Sequence, residues 1–150
     1  MSTLTKFNIP RYRVVEQRPL VPGPFKAIRS ELDAKLVIER MWQELEPDQD
    51  TEVMLFVFLD NNKVPCGYRM FGPVAENMVA ATYSAIIRTM LLSGVKKAIV
   101  AHNHPDRGPA SMADRDYIEG LRDAASYFNI QFPSAFVVSG DRAQVYGLED

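Results

Sequence analysis

Hydrophobic positions form two different patterns along the first half of the chain. Residues 30–46 (SELDAKLVIERMWQELE) carry apolar side chains three or four apart, which predicts a helix with Ser30 as its N-cap. Residues 53–71 predict a strand, a turn at 60–62 (Asp-Asn-Asn) and a second strand. The run VMLFVFL at 53–59 is apolar at every position, so we expect a central strand covered on both faces.

The second half of the chain continues the alternation. The predicted elements are a helix at 76–94, a strand at 96–101, a helix at 111–129 and two strands within 130–148. Gly94 is placed to end its helix as the C′ residue, whereas Gly120 interrupts the interior of the next. The order α-β-β-α-β-α-β-β predicts an α/β fold class, with a mixed β-sheet and helices packed on it.

Composition indicates a globular protein. The chain has 150 residues, of which 47% are hydrophobic and 24% charged, enough for one domain with a substantial core. No stretch approaches the roughly 18 apolar residues of a membrane helix, and residues 1–15 lack the apolar core of a signal peptide. The single cysteine, Cys66, excludes an internal disulfide and a cysteine-based zinc site, and we expect its side chain to be buried. A cytoplasmic location is therefore expected.

The net charge of −2 is unevenly distributed. Residues 1–30 carry six lysines and arginines against Glu16 alone, a local charge of +5. Four prolines within residues 1–29 predict an extended N-terminal arm ahead of a single domain at 30–150. We interpret the arm as a solvated basic segment, with contact to nucleic acid or an acidic partner as the alternative.

Both histidines of the chain lie in one stretch, AHNHPDRGPASMAD at 101–114. His102 and His104 are two residues apart, so on extended backbone they point to the same side and can reach one metal ion. Ser111 begins the next predicted helix and Asp114 lies one turn inside it, so a loop can return Asp114 to the histidines. Two histidines and a carboxylate form a catalytic zinc set that leaves a fourth position for water.

Hydrolysis at such a site needs a group that moves protons. Glu52 immediately precedes the apolar run at 53–59, and a lone acid at the edge of a core is a candidate general acid/base. The spacing alone does not bring Glu52 to the histidines.

The order Glu, His-x-His-Pro, Ser-x-x-Asp resembles the JAMM (JAB/MPN) metalloprotease motif in its bacterial RadC-like branch. The segments EVMLFVFLDNNKVPCGYRMFGP (52–73) and VKKAIVAHNHPDRGPASMAD (95–114) are similar to the glutamate-bearing strand pair and the metal loop of that branch. The resemblance implies a JAB/MPN (cytidine-deaminase-like) architecture from about residue 30 onward. The loop HPDRGPAS is one residue shorter than in that branch, so we expect a different substrate-facing edge.

The resemblance also implies roles and a reaction. His102, His104 and Asp114 would ligate Zn²⁺, and Glu52 would act as general acid/base. Ser111 would help to stabilise the oxyanion of the tetrahedral intermediate. The implied reaction is hydrolysis of a peptide or isopeptide bond in a protein or peptide substrate that the sequence does not identify.

Simpler interpretations of the same residues stay open. Ser111-x-x-Asp114 is also a capping-box pattern, and Ser30-x-x-Asp33 shows the same pattern without any chemistry nearby. The two histidines can instead be satisfied by hydrogen bonds in a loop. Asp106 and Asp116 are alternative ligands, although two further residues along a helix turn Asp116 away from Asp114.

Two other functions also stay open. One is a DNA-associated protein, because the RadC-like branch carries an association with DNA repair and residues 1–30 are basic. The other is a non-catalytic JAB/MPN scaffold. An HNH nuclease is disfavoured because its residues are spread over a ββα unit, and a zinc deaminase because one cysteine cannot supply its two cysteine ligands.

Overall fold

The computed structural model describes residues 25–45, 51–74, 81–104, 112–139 and 144–147. Within these residues the chain forms three helices and five strands. In chain order they are α1 (Glu31–Leu45), β1 (Glu52–Leu59), β2 (Pro65–Val74), α2 (Tyr83–Ser93), β3 (Lys97–His104), α3 (Met112–Ser126), β4 (Ala135–Ser139) and β5 (Gln144–Gly147). This order is the one that the hydrophobic pattern predicts.

The five strands form one mixed sheet in the order β2-β1-β3-β4-β5. Neighbouring strands are antiparallel except for β3 and β4, which are parallel. The connection between that parallel pair contains α3, as a crossover between parallel strands requires. The predicted α/β class with a mixed sheet and packed helices is confirmed.

The alternation of side chains along the central strands divides the core into two layers. Met54, Phe56 and Phe58 of β1 pack on one face of the sheet with the apolar sides of α2 and α3. Leu55 and Val57 point to the other face, where α1 covers them. Burial on both faces explains why the sequence of β1 shows no polar alternation.

Local sequence signals begin and end the elements much as predicted. The Ser30 hydroxyl accepts a hydrogen bond from the backbone amide of Asp33 at 3.1 Å, which makes it the N-cap of α1. Gly94 follows α2 with a φ of 74°, the left-handed conformation that glycine adopts most readily. In the turn after β1, the Asp60 carboxylate accepts from the amide of Asn62 at 2.8 Å, and Lys63 takes the positive φ of 63°.

Some predicted boundaries were wrong, and α3, for example, ends at Ser126 rather than at 129. α2 begins at Tyr83 rather than at 76, because Thr82 has extended dihedrals and its hydroxyl caps the amide of Ala85 at 3.2 Å. The last two strands lie within the predicted range 130–148, where β4 begins at Ala135, just beyond Pro133, which cannot donate to a ladder. β3 continues past 101 to His104, so the histidines lie within the strand and not after it.

Cys66 is exposed, contrary to the prediction. It lies on β2, an edge strand of the sheet, where the pairing with β1 shifts register between Phe58 and Leu59. Residues 66–69 of this strand are all exposed, so Cys66 lies in a part of β2 that none of the described helices covers.

The predicted N-terminal arm lies mostly outside the described residues. Its last part, residues 25–29, has no regular secondary structure, and the Ile28 amide donates to the carbonyl of Lys63 at 2.9 Å. Phe25 and Ile28 pack against the core layer that α1 covers. This end of the arm therefore lies against the β1–β2 turn.

Two tyrosines join α2 to α3. The Tyr83 hydroxyl donates to the carbonyl of Tyr117 at 3.0 Å, and the Tyr117 hydroxyl donates to the carbonyl of Ala81 at 2.6 Å. Gly120 lets the Tyr83 ring approach α3, because a Cβ there would overlap the Tyr83 hydroxyl and lie 3.0 Å from Cζ. Burial, with a smaller contribution from Tyr83, raises the pKa of Tyr117 above its usual range. This contact fixes the helix that carries Asp114.

Candidate metal centre

The two histidines share one face of β3 at its carboxyl end. Ala98 and Val100 precede them at alternate positions and pack into the core layer under α2 and α3. Strand alternation therefore directs His102 and His104 to that same layer. The parallel strand β4 pairs with both positions and keeps this part of the chain extended. The predicted common direction of the two imidazoles is thus achieved inside a strand.

Asp114 reaches the histidines because it continues the buried stripe of α3 by one turn. Ile118, Leu121 and Ala125 are the buried residues of this helix, and they are spaced by three or four positions. Asp114 stands four residues before Ile118, so its carboxylate faces the same side as the core residues. Asp116 lies off this stripe and is exposed, as predicted.

Three potential ligand side chains converge on one point. The Nε2 atoms of His102 and His104 are 3.2 Å apart. One carboxylate oxygen of Asp114 lies 2.9 Å from His102 Nε2, and the other lies 3.2 Å from His104 Nε2. The three side chains are largely buried, with exposed fractions of 12%, 8% and 15% for His102, His104 and Asp114.

The spacing and the chemistry of these donors fit zinc. Tetrahedral Zn²⁺ with bonds of about 2.0–2.1 Å holds its nitrogen and oxygen donors about 3.3 Å from one another. The 3.2 Å between the two Nε2 atoms, and the 2.9 and 3.2 Å from these atoms to the two different oxygens of Asp114, are close to that value. With one donor atom taken from each side chain, all three atoms lie within 4.8 Å of one another. Two imidazoles and one carboxylate also leave one tetrahedral position for a non-protein ligand.

Glu52 lies at the same end of the sheet and on the same face as the histidines. The antiparallel register of β1 and β3 pairs Met54 with His102, so its continuation places Glu52 opposite His104. Glu52 has the same parity as Met54 and Phe56, which point into the layer under α2 and α3. The side chain is partly buried. Sheet order, which the sequence does not specify, is what brings Glu52 to this end.

Asn103 is a residue of the site that sequence reasoning missed. It stands between the histidines, is 3% exposed, and its carboxamide bonds to the backbone on both sides of Glu52. A polar residue between two histidines at the end of an apolar strand is the signal that could have drawn attention to it.

Ser111 and Asp106 lie outside the described residues, so the role implied for Ser111 and the alternative ligand Asp106 stay predictions. Among the described residues, the group of three or more side chains that could hold a metal ion is His102, His104 and Asp114.

A family model described as the RadC-like JAB domain matches residues 30–150. The chain belongs to this family. The chain is 28% identical over 104 residues to "UPF0758 protein plu4865" of Photorhabdus laumondii, an alignment that covers 68% of this chain. The same alignment covers 45% of the relative, so the chain spans less than half of that protein's length. The resemblance stated from the sequence is confirmed at the level of the family.

Proposed function

We propose that this domain binds one zinc ion through His102, His104 and Asp114 and hydrolyses a peptide or isopeptide bond. The observation that carries the proposal is the convergence of these three side chains, with one donor atom from each lying within 4.8 Å of the others. The position of Glu52 supports it, because the β1–β3 register leads to an acid beside the histidines. Membership of the RadC-like JAB domain family supports the same reaction class.

Different side chains would hold the metal and transfer protons. Zinc, when bound, supplies a Lewis acid and lowers the pKa of a bound water to about 7. The Glu52 carboxylate would take a proton from the attacking water at Oε and give it to the amide nitrogen that leaves. As the new C–O bond forms and the C–N bond breaks, the products are a carboxylate and an amine. Ser111 is proposed to stabilise the oxyanion, as the family resemblance implies.

The experiment that tests this function separates metal uptake from hydrolysis. The chain is stripped with a chelator, reloaded with zinc, and its metal content is measured by mass spectrometry. It is then incubated in H₂¹⁸O with a linear peptide library and with peptides branched through a lysine side chain. We expect about one zinc per chain and new C-termini that carry ¹⁸O, lost on chelation and restored by zinc.

The other outcomes identify the alternatives. A chain that binds no zinc contradicts the metal site itself. A chain that binds zinc and cleaves neither type of peptide contradicts the hydrolase and favours the scaffold. A salt-sensitive DNA shift that is lost with residues 1–29 would favour the DNA-associated alternative.

The location of the protein stays a prediction. None of the helices in the described ranges combines the length and apolar character that a membrane span requires.

A further inference from the structure

Asn103 connects the strand of the histidines to the segment that carries Glu52. Its Oδ1 accepts a hydrogen bond from the Val53 amide at 2.8 Å, and its Nδ2 donates to the Thr51 carbonyl at 2.7 Å. The two hydrogen bonds therefore hold the backbone on either side of Glu52. Both are made by a side chain that is almost fully removed from solvent.

These contacts occur where the backbone ladder between β1 and β3 stops. The ladder runs from the pair Leu59–Lys97 to the pair Met54–His102. The next pair in register would be Val53 with Asn103, and there the carboxamide of Asn103 bonds to β1. Asn103 thus supplies a side-chain tie between this end of β1 and β3, while Glu52 itself pairs with Val74 of β2. A buried amide or carbonyl left without a partner is costly, so loss of the carboxamide would force this segment to move or to admit water.

We infer that Asn103 is a positioning residue that fixes the Glu52 carboxylate relative to the two histidines. Asn103 lies between His102 and His104 in the chain, and its side chain bonds to the segment that carries Glu52. The inference rests on the proposed function, since it needs Glu52 to act beside a metal held by His102, His104 and Asp114. A side chain with a purely structural role would stabilise the fold without changing how Glu52 meets a ligand at the metal.

The test compares Asn103→Ala with the control Ser134→Ala. Ser134 is also buried and its hydroxyl donates to Glu31 at 2.6 Å, but it precedes β4, at the end of the sheet away from the histidines. Amide hydrogen exchange at Val53, followed by NMR without metal, should quicken by at least about tenfold in Asn103→Ala and stay unchanged in the control. Unchanged exchange at Val53 in Asn103→Ala would overturn the inference.

A second measurement asks whether Asn103 acts through Glu52. The probe is acetohydroxamate, a zinc chelator able to hydrogen-bond to a neighbouring carboxylate, titrated into zinc-loaded protein by calorimetry. Asn103→Ala and Glu52→Gln should each weaken binding by about tenfold, and the double variant should be no weaker than Glu52→Gln alone. Additive losses, or unchanged binding in Asn103→Ala, would overturn the inference.

Folding and metal binding are controlled separately. If Asn103→Ala does not fold, the isosteric Asn103→Asp replaces it and is likewise measured alone and together with Glu52→Gln. This variant keeps the acceptor for the Val53 amide and removes the donor to Thr51. The same weakening, again non-additive with Glu52→Gln, supports the inference, and full hydroxamate binding overturns it. A wild-type chain that takes up no zinc overturns the proposed function, and the inference with it. Zinc uptake together with additive losses overturns the inference alone.

Discussion

His102 and His104 face each other through their Nε2 atoms at 3.2 Å, and the same two atoms face the two oxygens of Asp114. If both nitrogens are protonated, each can donate to Asp114, but the two N–H groups then lie side by side. If only one is protonated, it can donate to Asp114, but the lone pair of the other nitrogen then faces a carboxylate oxygen. If neither is protonated, two lone pairs and an anion converge on one point. A divalent cation relieves each of these conflicts, because it accepts electron pairs from all three side chains. The geometry therefore favours metal ligation over a hydrogen-bonded loop.

Replacing Asp114 by asparagine should remove tight zinc binding. Asparagine keeps the size of the side chain but not its charge, and changes beside a metal site that spare the ligands already cost about 10–100-fold in affinity. We expect a loss of at least about 100-fold, measured by competition with a chromophoric chelator. Asp116→Asn is the matched control, since Asp116 is exposed on the same helix, and it should bind zinc like the wild type. Equal losses in both variants would contradict the assignment of Asp114 as a ligand.

The candidate metal ligands could be predicted from sequence because the position of each depends on local periodicity. The two-residue spacing fixes the common face of His102 and His104, and the four-residue spacing to Ile118 fixes the face of Asp114. Glu52 could be proposed as a lone acid at the edge of an apolar run, but only the family resemblance connected it with the histidines. Its approach to the histidines depends on β1 lying beside β3, a long-range pairing that no local pattern specifies.

The errors have the same origin. Residues 102–104 were predicted to follow a strand, because their polar side chains break the apolar run. The partner strand β4 nevertheless keeps them extended. Gly120 was visible in the sequence only as a weak point in a helix, since the ring that it accommodates comes from α2. Contacts between distant segments override local propensity in each case.

Gly120→Ala should destabilise the protein, although alanine is the better helix former by about 1 kcal/mol. The new methyl group would overlap the Tyr83 hydroxyl, which its hydrogen bond to Tyr117 and the packing of the two rings hold in place. We expect a net loss of about 1–3 kcal/mol in the free energy of unfolding, measured with urea.

The same substitution in a Tyr83→Phe background serves as its control. Removing the hydroxyl relieves part of the overlap, so Gly120→Ala should cost about 1 kcal/mol less there. An equal cost in both backgrounds would show that the loss arises elsewhere in α3.

Tyr117→Phe should make stability less sensitive to alkaline pH. Burial raises the pKa of Tyr117 in the folded state above its unfolded value of about 10. The stability that the protonated Tyr117 hydroxyl contributes is therefore complete below pH of about 10. It is lost as pH rises further, because Tyr117 releases its proton at lower pH in the unfolded chain than in the folded one. At neutral pH the variant should be about 1 kcal/mol less stable, since it loses the hydrogen bond to Ala81.

The measurement is urea unfolding of both proteins at neutral pH and at several values above pH 10. The stability difference should narrow by up to about 1.4 kcal/mol per pH unit in the alkaline range. The four tyrosines other than Tyr83 and Tyr117 are common to both proteins and cancel in the difference. A constant difference across the range would contradict a raised pKa at Tyr117.

Glu52→Gln should leave zinc binding intact and remove hydrolysis. Glutamine keeps the shape of the side chain, and Glu52 is outside the group of three ligand side chains, so about one zinc per chain should remain. General acid/base catalysis contributes about 10²–10⁴-fold, so cleavage of the peptide that the wild type cuts best should fall by that factor. Glu119→Gln, on the exposed side of α3, should behave as the wild type. Loss of zinc in Glu52→Gln would make Glu52 a metal ligand, whereas full activity with zinc retained would assign the proton transfer to another group.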